Sequence, residues 1–314
     1  EGGQCAARGL ASPDPARRPS RAAAVALLHA AFRSGVEVLD TADSYCAGPG
    51  GSAEAAEPHY VERLIAEAMR TFDGDAGRVR ICTKGGMQRI SSLSSGWRPR
   101  ACTGPAVRQM IAESHEALGG ERPIDVWMLH HADALTPAQL EAALGAMRAE
   151  VEKGTVLNLG LANATVGNLE LAERLGIRIA AVQNQYSLWS REAEMPRAPG
   201  SAPKSRRGVL EWCAARGCAF MPYAAFGGVQ CRDGRRSLRG SFPRLAEMAA
   251  RRGCSPEALV LAWMRQRFAC IVHIAGARSL EHVLDCAAAR SISLAPGELE
   301  EISALRPARA PRGR

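Results

Sequence analysis

The chain alternates between two hydrophobic periods. Short apolar runs of strand character fall at 36–40, 79–83, 124–129, 155–160, 178–183, 218–223 and 270–274, and each is followed by a stretch of helical period. The helices are expected at 18–34, 57–72, 105–118, 136–152, 166–175, 207–216, 243–252 with 256–266, 279–289 and 296–305. Apolar spacing carries most of them, as with Val25, Leu28 and Phe32 in the first, or Val61, Leu64, Ile65 and Ala68 in the second. Thr136-Pro137-Ala138-Gln139 adds an N-cap hydroxyl, a first-turn Pro and a capping-box Gln, and Gly154 supplies the stop. No hairpin turn is expected between any two runs.

A strand that returns through a helix lies parallel to its predecessor, so repeated βα units imply a parallel sheet covered by helices. Seven such units in 314 residues suit an α/β fold of the (β/α)₈ TIM-barrel type, with the N-terminal hairpin and first strand degenerate or missing. Residues 1–17 are rich in Gly and Pro and carry no convincing strand. A doubly wound sheet would show a Gly-rich fingerprint after its first strand. Gly48-Pro49-Gly50-Gly51 does not match it. The expected organisation is one domain over 1–305, irregular through residue 17, then a basic disordered tail at 306–314. The loops 191–206 and 224–242 are the long connections, of the kind that cover sites in barrels.

Three consecutive strands run out into polar residues: Asp40, Lys84 and His130. Neighbouring parallel strands would gather all three at one rim, with Tyr45 in the loop after the first. A buried carboxylate is costly unless paired, and Lys84 is the expected partner of Asp40. A phenol with a pKa near ~10 is a poor proton donor at neutral pH, and a nearby ammonium favours its ionised form. His130 could orient a carbonyl by hydrogen bonding. The set suits protonation of an oxygen on which negative charge develops, as in carbonyl reduction. His131 is expected to point away from the rim, and Trp97 and Trp189 are candidate pocket aromatics.

These segments resemble the aldo-keto reductases. Val38-Leu39-Asp40-Thr41-Ala42-Asp43-Ser44-Tyr45 is similar to that family's first signature, and Ile81–Gly86 and Ile124–His130 are similar to its lysine and histidine segments. The resemblance runs from about 18 to 305. It implies NADPH-dependent reduction of an aldehyde or ketone, with Tyr45 as general acid, Lys84 and Asp40 tuning it, and His130 orienting the carbonyl. Gly160-Leu161-Ala162-Asn163 is similar to the segment whose Ser-Asn pair holds the nicotinamide carboxamide, with Ala162 in the place of Ser. By the same resemblance Gln183 is a carboxamide contact and Tyr223 the stacking aromatic. Gly276, Arg278 and Ser279 match the turn that holds the adenosine 2′-phosphate, and a helix N-terminus with an Arg beside it is a reasonable anion site. Lys84-Gly85-Gly86-Met87 followed by Gly96-Trp97 resembles bacterial-type and pyridoxal-reductase-like members.

Composition narrows the partners. The net charge of +8 includes four arginines in the last nine residues, and without those four about +4 remains, a weak basis for nucleic-acid binding. None of the ten cysteines forms C-x-x-C or stands with histidines at zinc spacing, so neither a metal nor a disulfide framework is expected. Several lie in apolar runs, which suits a reducing, cytoplasmic compartment. No apolar run reaches the ~18 residues of a membrane span, and no signal peptide is apparent. The expected partner is a small carbonyl substrate. The competing readings are an NADPH-binding regulatory subunit, a catalytically impaired homologue, and a (β/α)₈ lyase or isomerase without a nucleotide.

Overall fold

The computed structural model describes residues 3–6, 19–45, 57–89, 97–196, 205–228, 237–277 and 279–308. Its strands are β1 (Gly3–Ala6), β2 (Val36–Asp40), β3 (Arg80–Gly85), β4 (Met87–Arg89), β5 (Trp97–Pro99), β6 (Ile124–Leu129), β7 (Val156–Ala162), β8 (Ile179–Gln183) and β9 (Ala219–Phe220). Seven of them form one all-parallel sheet in the order β1-β2-β3-β6-β7-β8-β9. An eighth parallel position follows, where Ile271 bridges Phe220. There the Phe220 amide donates to Cys270 O and the Val272 amide to Phe220 O, both at 2.8 Å. Apart from β4 and β5, spatial order is chain order, as in a (β/α)₈ architecture.

The helices are α1 (Arg21–Arg33), α2 (Tyr60–Thr71), α3 (Gly104–Ala117), α4 (Pro137–Glu152), α5 (Val166–Arg174), α6 (Val209–Arg216), α7 (Leu238–Ser241), α8 (Pro243–Arg251), α9 (Pro256–Arg267), α10 (Leu280–Ala288) and α11 (Pro296–Ala304). Caps written in the sequence set several of their starts. The Thr136 hydroxyl accepts from the Gln139 amide while Gln139 Oε1 accepts from the Thr136 amide, completing the capping box of α4. No helix among the described residues is long and apolar enough to cross a membrane.

Several expectations need correction. The Gly-rich start does contain a strand: β1 pairs in parallel with β2, from Gly3 opposite Val36 to Ala6 opposite Asp40. The first strand is therefore degenerate rather than missing. Its place in the sheet is beside the edge of β2 that would otherwise be open. A hairpin is also present. β4 and β5 pair antiparallel within the loop after β3, Met87 opposite Pro99 and Arg89 opposite Trp97. The strand expected at 218–223 breaks after Phe220 and pairs again only at Tyr223, opposite Gln185. The run at 270–274 is reduced to the single bridge at Ile271. At the other end, the expected tail is tied down as far as Ala308, whose amide donates to Ser241 O at 2.7 Å; residues 309–314 lie outside the described residues.

Three apolar clusters fill the layers. The largest lies between the sheet and α3 to α9 and contains the buried rings of Trp127, Tyr186 and Trp263, the last two stacked at 5.8 Å. A second joins α1, α2 and β2 through Phe32, Leu39, Leu64 and Ile65. The third takes Cys82, Met128, Ala181, Met221 and Ile274 from successive strand positions, the pattern of a barrel interior. Gly160 on β7 belongs to that interior and has no room for a side chain: a Cβ there would stand 2.7 Å from Met128 Cγ and 2.9 Å from Ala181 O.

Candidate active site

The polar ends of β2, β3 and β6 meet at one rim. Parallel register sets Asp40 opposite Cys82 and Lys84 opposite Met128, so each strand carries its polar residue to the same level or just beyond its neighbour. Past β2, the Thr41 amide donates to Cys82 O and the Asp43 amide to Lys84 O, so the chain follows β3 before turning. The turn closes with the Tyr45 amide on Ala42 O at 3.0 Å. The His130 amide on Gly85 O at 2.9 Å fixes the histidine beside the same stretch.

Lys84 is fully buried and its Nζ donates to Asp40 Oδ1 at 2.6 Å and to Thr41 O at 2.7 Å. Burial alone would push its pKa down. The Asp40 charge and hydrogen bond, with the negative form of Tyr45 nearby, outweigh it and hold the ammonium above its ordinary value. Lys84 Nζ stands 5.2 Å from the centre of the Tyr45 ring. The Tyr45 and His130 rings meet edge to face at 6.2 Å and 75°. Asp40, Tyr45, Lys84 and His130 thus form one cluster.

Three of the expected cofactor residues join it. Gln183, at the end of β8, donates from Nε2 to Asp40 Oδ1 at 2.7 Å. Asn163 donates from Nδ2 to His130 O at 2.9 Å, and its Oδ1 accepts the Tyr223 hydroxyl at 2.7 Å. Asn163 takes a left-handed backbone, φ 54°, which Asn tolerates better than most residues and which turns its amide toward the cluster. Ser279 caps α10, its hydroxyl accepting from the His282 amide at 3.3 Å. Gly276 is exposed in the turn before that helix. Ala277 of the same turn is buried in the apolar cluster that contains Tyr45, and Arg278 lies outside the described residues.

His131 is expected to point away, yet it stacks on His130 at 5.9 Å and 19°. Strand alternation ends at Leu129, and both histidines sit on the turn beyond it. His131 Nδ1 lies 3.2 Å from Asp133 Oδ1, and Asp133 Oδ2 accepts from Arg206 at 2.7 Å. Arg206 also reaches Asn163 Oδ1 at 3.5 Å, sharing it with Tyr223. Burial raises the Asp133 pKa, but His131 and Arg206 outweigh it and hold the carboxyl below its ordinary range. Trp189 packs edge-on against Phe242 at 4.7 Å rather than standing free over the site. The side chain of Trp97 lies outside the described residues.

Sequence reasoning missed a second polar cluster behind the Tyr45 turn. Glu62, on the buried face of α2, accepts the Thr83 hydroxyl at 2.5 Å and lies 2.5 Å from His59 Nδ1. Asp43 is buried beside them and pairs with Arg100 at 3.2 Å. Burial first, and then the Glu62 charge, raises the Asp43 pKa to about 7, against the pull of Arg100 and His59. His59 is also raised, because Glu62 and Asp43 outweigh its burial. A cavity of about 740 Å³ opens on this flank between α2 and α3, lined in part by Asp43, His59, Arg100 and Glu113. The available signal was Glu62 itself, a carboxylate beside the apolar stripe of α2. Among the described residues no group of three or more His, Cys, Asp or Glu side chains is placed to hold a metal.

The model of the aldo/keto reductase family matches residues 9–307. An aldo-keto reductase from Klebsiella pneumoniae, solved in complex with NADPH, is 23% identical with a TM-score of 0.70, over 95% of this chain and 88% of that one. A thermostable aldo-keto reductase solved with the inhibitor epalrestat is 22% identical with a TM-score of 0.71, over 96% and 93%. One from Brucella melitensis is 15% identical with a TM-score of 0.66, over 90% of each chain.

Proposed function

This chain belongs to the aldo/keto reductase family, an oxidoreductase family, and on that premise we propose that it reduces an aldehyde or ketone to the alcohol with NADPH. The observation that carries the reading is the cluster of buried Asp40, Lys84 and Tyr45 with half-buried His130, with the Lys84–Asp40 contact at 2.6 Å at its centre. The NADPH-bound relative from Klebsiella pneumoniae supports the choice of cofactor.

The residues present suit a nicotinamide. A primary carboxamide needs both donors and acceptors, and the side-chain amides of Asn163 and Gln183 supply both within hydrogen-bond range of the cluster. Tyr223, held on Asn163 at 2.7 Å, is the aromatic face for the ring. Gly276 and Ser279, at the N-terminal turn of α10, together with Arg278, are assigned to the 2′-phosphate. When bound, the reduced cofactor supplies the hydride. The protein supplies the proton and the geometry.

Tyr45 gives its phenolic proton to the carbonyl oxygen as negative charge develops there. The Lys84 ammonium, 5.2 Å from the ring centre, stabilises the phenolate left behind. Asp40 holds the Lys84 ammonium in a site where burial alone would lower its pKa. His130 donates to the carbonyl oxygen and sets its angle to the Tyr45 hydroxyl. Hydride and proton together complete the two-electron reduction.

The test is NADPH oxidation followed at 340 nm (roughly the nicotinamide absorbance) across a panel of aldehydes and ketones, with Tyr45→Phe alongside. Turnover by the wild type and its loss in the variant are expected. Equal turnover by Tyr45→Phe would remove the tyrosine from the mechanism. Tight NADPH binding with no turnover of any carbonyl would favour a regulatory role.

A further inference from the structure

One buried carboxylate outside the catalytic cluster is wired to both chain segments that carry the Tyr45–Lys84 pair. Glu62 has no exposed surface. Its Oε1 accepts from the hydroxyl of Thr83, the residue before Lys84, at 2.5 Å. Its Oε2 lies 2.5 Å from Nδ1 of His59. The His59 amide donates to Asp43 O at 2.9 Å, and the Val61 amide donates to Tyr45 O at 3.2 Å. A single side chain therefore links the strand holding the ammonium to the helix start that holds the tyrosine turn.

We propose that Glu62 is a positioning residue which, through His59 and Thr83, fixes the Tyr45 turn against the Lys84 strand; the proposal rests on Tyr45 being the proton donor.

Two features argue for more than packing. A Leu at this place would fill the apolar interior without desolvating a charge, and a buried ionic group is poor evidence of stabilisation for its own sake. His59 is held at φ 61°, a left-handed conformation that is unfavourable for a residue with a β-carbon. Its imidazole bond to Glu62 and its amide bond to Asp43 O both hold the residue in place. Proton transfer across a hydrogen bond is sensitive to small displacements, so a slack Tyr45 turn lowers kcat while leaving the cofactor contacts on β7 and β8 in place.

The charge on Glu62 is also felt at the turn. Asp43, two residues before Tyr45, faces Glu62 from α2, His59 at the N-cap of that helix, and Arg100 from the loop after β5. Glu113 of α3 lies 3.8 Å from both His59 and Arg100, and Cys102 lies close enough to sense Asp43. Removing the Glu62 charge takes away a repulsion that raises the Asp43 pKa, so that ionisation moves to lower pH.

The experiment compares Glu62→Ala, Glu62→Gln and Tyr45→Phe with the wild type, using NADPH and an aldehyde the wild type reduces. Glu62→Ala should lower kcat on the order of 10- to 100-fold with NADPH Kd, read by tryptophan fluorescence, unchanged. Glu62→Gln, whose amide can still serve both Thr83 and a neutral His59, should restore most of the kcat. Ionisation of Asp43, two residues from Tyr45, is expected to put a break near neutrality in the pH profile of kcat, and Glu62→Gln should move that break to lower pH. Wild-type kcat and pH profile in both Glu62 variants would overturn the proposal, as would a parallel loss of kcat and NADPH affinity in both. If Glu62→Ala does not fold, the position of the pH break in Glu62→Gln decides. If Tyr45→Phe is fully active, the proton-donor reading fails and takes the proposal with it. If Tyr45→Phe is inactive and the Glu62 variants are normal, only the tether fails.

Discussion

The side-chain amide of Gln183 donates to Asp40 Oδ1 at 2.7 Å, although β8 and β2 are separated in the sheet by β3, β6 and β7. Strands lie about 4.8 Å apart, so four steps along a flat sheet would put these two strand ends roughly 19 Å from one another. The contact is possible only because the sheet curls back on itself. Asp40 therefore senses both the Lys84 ammonium and the amide on the far wall of the site.

That double contact makes Asp40→Asn the first prediction. The substitution keeps the shape but leaves the Lys84 ammonium buried without a counter-charge. Breaking one side of a buried pair costs about 3–5 kcal/mol unless the survivor neutralises. Here burial would then dominate and the Lys84 pKa should fall. Urea unfolding should show a loss of that order, smaller at alkaline pH, where neutralising Lys84 costs less. Carbonyl reduction should drop by about 10²-fold or more.

Asp43 and His59 make stability fall as pH rises through neutrality. The Asp43 carboxyl titrates at 3.8 when unperturbed and at about 7 when folded. Between those values the folded chain keeps a proton that the unfolded chain releases, so stability falls as pH rises through this window. His59 acts in the same direction. Its folded pKa lies above 6.5, so its contribution is complete below 6.5 and is lost as pH rises through the folded value. His273 acts in the opposite direction below 6.5, because burial lowers its folded pKa to about 4 and its contribution rises with pH up to 6.5. Thermal melts from about pH 6.5 to about pH 8, above that opposing window, should show Tm decreasing with pH. In Asp43→Asn the slope should be shallower. A Tm that rises over this range in the wild type would contradict the assignment.

Much of the fold and of the cluster was legible because both depend on local pattern. The βα alternation marked seven of the eight parallel positions, and polar residues at consecutive strand ends identified Asp40, Lys84 and His130 as neighbours. β1 was not legible, since the four residues Gly3-Gln4-Cys5-Ala6 carry no strand period. The β4–β5 hairpin was hidden because three-residue strands carry no measurable period. His131 was misplaced by extending strand alternation past the end of the strand. Glu62 and His59 were missed because a tertiary hydrogen-bond network, and no periodicity, justifies their place.

Gly160 provides a test of the barrel interior. Alanine there would bring its Cβ to 2.7 Å from Met128 Cγ and 2.9 Å from Ala181 O. The thioether can swing away, but the carbonyl belongs to β8 and cannot. Gly160→Ala should destabilise by about 1–3 kcal/mol, read as a lower urea midpoint at unchanged m-value. Gly145 inside α4 supplies the control, because a Cβ added there meets nothing within 4 Å. Gly145→Ala should stabilise by about 0.5–1 kcal/mol.

Ala162 carries the last prediction. It is the residue before Asn163, at the end of β7 and almost fully buried. Family resemblance puts a Ser here, whose hydroxyl would hold the nicotinamide carboxamide beside Asn163 and Gln183. With Ala, the proposed carboxamide site depends on two amides that already bond protein groups: Gln183 on Asp40, and Asn163 on His130 O and the Tyr223 hydroxyl. Cofactor binding has to compete with those bonds. A hydroxyl added at 162 would contribute one more hydrogen bond, worth about 1 kcal/mol net and so roughly a five-fold change in affinity. Ala162→Ser should therefore lower the NADPH Kd about five-fold in a tryptophan-fluorescence titration. Binding of NADPH fragments that lack the nicotinamide should be unaffected. Weaker NADPH binding in the variant would mean that the carboxamide does not sit beside Asn163.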